Sequence, residues 1–190
     1  MAPILGVIAS ANQGQFISYG SYESIATVTL GSSQSSITFS SIPSTYQHLQ
    51  IRGISKCSRT SADQGTFRYR LNGDTSSSYS YHRLFGNGSS VSSDGGGSFN
   101  YGYLYYGATT NDTASTFGVS VWDILDYSNT NKYTTVRYLG GLSNNNTSDG
   151  VGIGSNAWLN TSAVNSIVIE IDGGFNFLQY SSFALYGIKG

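Results

Sequence analysis

The chain has 190 residues, a formal net charge of −1 and only 10% charged residues, against roughly 25% in an ordinary soluble domain. That length supports one domain with a sizeable core, and no basic stripe exists to neutralise phosphates, which argues against nucleic acid as a partner. Fifteen tyrosines within 14% aromatic residues exclude a disordered chain, because that much ring area demands burial.

In chain order, residues 2–20, "APILGVIASANQGQFISYG", differ from the rest: an apolar head precedes a polar, glycine-containing stem. No positive flank precedes the apolar run and it is too short to span a bilayer, so neither a secretory signal nor membrane insertion is expected. Ile4, Leu5, Val7 and Ile8 are read as a docking arm on another chain; the alternative is an edge strand of their own domain. Residues 1–20 are therefore the expected arm, and residues 21–190 the folded domain.

From Ile25 onward, side chains alternate with period two, and no window keeps helical spacing over three turns. "SITF" (36–39) places Ile37 and Phe39 on one face, and "HLQIRG" (48–53) does the same with Leu49 and Ile51 against Gln50 and Arg52. Cys57 stands alone in "GISKCSRT", so no intrachain disulfide is possible. "TFRYRL" (66–71) sets Phe67, Tyr69 and Leu71 against Arg68 and Arg70. In "DTSSSYSYHRLFG", Tyr79, Tyr81, His82 and Arg83 gather near a turn as a candidate recognition surface for a sugar ring or a protein. The alternative is that Tyr79 and Tyr81 line a sandwich face.

"GNGSSVSSDGGG" (86–97) reads as an exposed loop, rich in glycine and serine with Val91 its one apolar residue. "SFNYGYLYYG" (98–107) reads as one strand with Phe99, Tyr101, Tyr103 and Tyr105 facing the core and a covered reverse side at Leu104 and Tyr106. "FGVSVWDIL" (117–125) is apolar on both faces: Phe117, Val119 and Val121 on one, Trp122 and Ile124 on the other. "NSIVIEID" (165–172) turns Ile167, Ile169 and Ile171 inward with Glu170 outward, and "FALYGI" (183–188) turns Phe183 and Leu185 inward with Tyr186 outward. Turn-forming clusters rich in Gly, Ser, Asn and Asp separate these runs. Ten or so short strands at such spacing predict an all-β, two-sheet antiparallel sandwich, jelly-roll-like, with a closed barrel as the alternative.

Catalytic patterns are missing. His48 and His82 lie in no metal-ligand spacing, and no serine sits in a nucleophile elbow. Asp123 and Asp126, three apart, fall on opposite faces of a regular strand, which disfavours a joint acid–base pair. "GVGIG" (150–154) precedes no helix that could present amides to a phosphate. No cofactor, metal or enzymatic activity is expected.

The phrases "SYESIATVTLGSSQSSITFSSIPSTYQHLQIRG", "FRYRLNGDTSSSYSYHRLFGNGSS" and "FALYGIKG" resemble small virion proteins of tailed bacteriophages, especially cyanophages and related marine phages. The resemblance covers residues 19–190. Proteins with similar domains carry the labels tail fibre, tail assembly or decoration. It implies a non-enzymatic, sandwich-fold structural component on the outside of the particle, and it supplies no catalytic residues. The expected setting is the virion, assembled in the host cytoplasm and released by lysis. The expected partners are other virion proteins of capsid or tail and further copies of the chain, with a trimer as the order. The alternative is a receptor-binding fibre tip that recognises host-surface glycans through Tyr79, Tyr81, His82 and the 86–97 loop.

Overall fold

A computed structural model describes residues 21–60, 65–143 and 149–190. The expected docking arm, with Ile4, Leu5, Val7 and Ile8, lies outside the described residues. Among those described, the period-two runs become twelve strands and no helix. They are β1 (Tyr22–Thr29), β2 (Ser36–Phe39), β3 (His48–Ser55), β4 (Gly65–Leu71), β5 (Tyr79–Gly86) and β6 (Val91–Phe99). There follow β7 (Gly102–Gly107), β8 (Gly118–Leu125), β9 (Thr134–Leu142), β10 (Gly150–Trp158), β11 (Ile167–Ile171) and β12 (Ser182–Ile188).

Two antiparallel sheets result, one of eight strands in the order β1-β12-β3-β8-β9-β10-β5-β6 and one of four in the order β2-β11-β4-β7. The pairs β1·β12, β2·β11, β3·β8 and β4·β7 are nested. The chain thus runs out and back as one long antiparallel ribbon whose successive pairs alternate between sheets, the winding of a jelly roll. Two hairpins, β5–β6 and β9–β10, interrupt that ribbon, and both add to the large sheet beyond β8. The large sheet therefore extends past the small one on that side.

The core lies where the two sheets overlap. Phe67, Trp122, Phe177 and Phe183 meet there with ring centroids 5.4 to 6.3 Å apart, at separations where edge and tilted contacts are favourable. Leu49, Ile51, Leu71, Ile169 and Leu185 are fully buried beside them, each contributing roughly 1.5–3 kcal/mol of burial. The inward sets read from β2, β3, β4, β11 and β12 all face this core.

Two expectations need correction. "SFNYGYLYYG" is not one strand: Phe99 ends β6, the chain turns at Asn100 and Tyr101, and β7 starts at Gly102 in the other sheet. The inward residue of β7 is Leu104, fully buried and paired with Phe67, whereas Tyr103 pairs with Arg68 and is half-buried. Phe99, Tyr101 and Tyr103 instead gather with Tyr81, centroids 4.9 to 6.3 Å apart, at β7, the edge where the small sheet stops. There they close the open side of the sandwich. The 86–97 stretch is likewise no long loop. Asn87 Oδ1 accepts from the Ser89 and Ser90 amides at 3.2 and 2.9 Å in a tight turn, and β6 follows from Val91. Asp94 meets Arg83 directly opposite on β5, which fixes the register of a strand whose glycines and serines would not.

Where the large sheet extends, a glycine accommodates an aromatic ring. A Cβ at Gly154 would lie 2.3 Å from the Tyr138 ring, so the glycine is what lets that ring lie flat on β10.

Candidate docking surface

The four residues singled out in "YSYHR" separate, because successive strand residues point to opposite sides. Tyr79 is fully buried; its hydroxyl accepts from the Leu71 amide at 3.0 Å, and burial pushes the phenol up to about 12. Tyr81 is half-buried within the aromatic cluster. Arg83 lies on that same side, ion-paired to Asp94 and stacked over Tyr81 and Phe85 at 5.8 and 5.0 Å. His82 alone is exposed, on the outer face of the large sheet. The four do not form one surface.

His82 borders a surface that the sequence reading missed. Register aligns Val121 of β8, Leu139 of β9, Ile153 of β10 and Leu84 of β5 in one row across the outer face. A second row holds Ile54, Val119 and Val151. Ile54, Leu84, Val119, Leu139, Val151 and Ile153 are each between 46% and 55% exposed. Contiguous exposed aliphatic faces of this kind occur at interaction sites. The first row floors a depression of about 900 Å³ whose lining also takes in His82, Asp123, Arg137, Tyr138 and the Arg83–Asp94 pair.

The rim is polar and internally matched. Asp123 accepts from Gln50 Nε2 at 2.8 Å and from Arg137 Nε at 2.9 Å, and Gln50 Oε1 accepts from Arg52 Nε at 2.8 Å. Asp123 is thereby occupied by structural partners. The small sheet's outer side is ordinary by comparison: Arg68 and Arg70 both meet Glu170, at 3.2 and 2.5 Å. One signal could have found the aliphatic face. A strand apolar on both sides, as in "GVSVWDIL", must turn one side to water in a two-layer fold unless something covers it.

Among the described residues, no three His, Cys, Asp or Glu side chains come together to hold a metal ion, and no helix is long and apolar enough to cross a membrane. No family model matches the chain, nor does any curated protein. Among solved structures, the chain is similar to Scytalido-glutamic peptidase crystallised with a peptide-based transition-state analogue. That match has a TM-score of 0.28 and 12% identity, covering 84% of this chain. The chain spans 66% of that enzyme's length, and a likeness at this score carries no argument about fold or activity.

Proposed function

We propose that the chain is a non-enzymatic structural component of the exterior of a tailed-phage particle, a decoration or tail-associated accessory protein that docks through residues 1–20 and self-associates. One observation carries the reading: a domain with 10% charged residues presents a continuous aliphatic face on one sheet and a paired, polar face on the other. Water disfavours leaving that much aliphatic surface open, so it suits a domain whose working state is an assembly. The phrase-level resemblance to small virion proteins points the same way. Host-glycan recognition has less behind it, since Tyr79 is buried and Tyr81 is enclosed by neighbouring rings.

Gold-labelled antibody against the chain, applied to purified particles of the phage that encodes it, tests the proposal. Label on the particle exterior, at head or tail, is the expected result. Recovery of the chain solely as free protein in the lysate overturns it, and so does turnover of host polysaccharide or peptide by the purified chain.

A further inference from the structure

The aliphatic depression on the outer face constrains what can fill it. β8, β9 and β10 are interior strands, so their backbone groups are already paired with neighbours. An occupant is therefore held by side-chain burial and not by adding a strand. The floor of Val121, Leu139, Ile153 and Leu84 is aliphatic; of the rings in the lining, Tyr138 is buried and His82 stands beside the floor, so a sugar finds no aromatic floor to stack on. A short, protruding aliphatic segment matches the shape and the chemistry, and a hollow of this size is in the range that takes a small ligand or peptide.

The sequence supplies an aliphatic stretch of that length. Residues 1–20 contain Ile4, Leu5, Val7 and Ile8, and no charged side chain occurs before Glu23. The segment leads into β1, an edge of the same large sheet. β1 stands four strands from β9, about 19 Å at the usual strand spacing, whereas 20 residues span up to roughly 66 Å when extended. That reach extends well past the chain's own sheet to an adjacent molecule.

We propose that the aliphatic head of the N-terminal segment, around Leu5, inserts into the outer-face depression of a neighbouring copy, so that the chains assemble by arm exchange. The inference rests on the assembly reading above and names the partner for that surface. Such a contact closes either reciprocally, in a two-fold dimer, or head to tail around a ring when the rotation allows.

Full-length chains test this by complementation. Leu5→Asp disables the arm and leaves the depression intact; Leu139→Asp does the reverse, with Ile153→Asp as a second variant of the depression. Light scattering after size exclusion is expected to show an oligomer for the parent. Each variant, its β-type circular dichroism unchanged, should associate roughly 100-fold more weakly, since a carboxylate must be buried unpaired. Mixing Leu5→Asp with Leu139→Asp should restore one contact and give a one-to-one pair. A monomeric parent overturns the proposal, as does association that Leu5→Asp leaves unchanged, or mixtures in which the two variants stay apart. None of these outcomes moves the gold label on the particle, so the two readings fail separately.

Discussion

Lys56 is 6% exposed, and its ammonium donates to the carbonyls of Asp112, Thr113 and Ala114 at 3.2, 2.7 and 3.2 Å. A lysine stem laid through the protein to tie down a loop is invisible to composition, because nothing local marks its three acceptors. Lys56→Met keeps the stem and strands those carbonyls, so it should cost about 2–3 kcal/mol. Urea unfolding measures this; a variant as stable as the parent contradicts it. Asp74 offers a second case. Its carboxylate accepts from Ser76 N and Oγ at 2.8 and 2.6 Å, from Ser78 Oγ at 2.8 Å and from Trp158 Nε1 at 2.6 Å. Burial raises its pKa, but the bonds from Ser76, Trp158 and Ser78 together outweigh it and hold the group well below the ordinary carboxylate range. A lowered folded value means this stabilisation is complete above about pH 4, where the unfolded group is ionised, and is lost as pH falls further. Asp74→Asn should flatten the decline of thermal midpoint between about pH 4 and 2; an unchanged acid limb rules the linkage out.

Individual strands were legible from alternation wherever one face met the core and the other met water, as at Ile37 and Phe39 of β2 or Phe67, Tyr69 and Leu71 of β4. The reading failed at β6 and β7 for two physical reasons. A serine- and glycine-rich edge strand carries no hydrophobic signal, because its partner supplies the pairing and water meets its other side. The aromatic row from Phe99 to Tyr105 keeps its spacing across a change of sheet, and alternation alone does not detect a turn. Asn100 and Gly102 were the available clue. The correction has a measurable consequence. Leu104→Ala removes a fully buried side chain and should cost about 2–5 kcal/mol. Tyr103→Phe loses one hydroxyl contact, with Tyr101 at 2.9 Å, and should cost about 1 kcal/mol or less. The opposite ranking in denaturant titrations would restore the one-strand reading.

At the scale of the molecule, a nested ribbon makes the sandwich, and the hairpins β5–β6 and β9–β10 widen one sheet beyond the other. The aromatic cluster around Tyr81 closes the inner side of that extension, and the outer side is left aliphatic. The sandwich class could be read from the strand spacing. The docking face was hinted at only by the two-sided apolar β8; its extent was not legible, since the row forms only when register brings Leu84, Val121, Leu139 and Ile153 from four separate strands together. Assembly through that row is the central claim. Its most direct test is the copy number of the chain on purified phage particles carrying Leu139→Asp, set against the parent by quantitative mass spectrometry. A soluble, folded variant depleted at least tenfold from particles is the expected result; particles that carry it at parental copy number would contradict the claim.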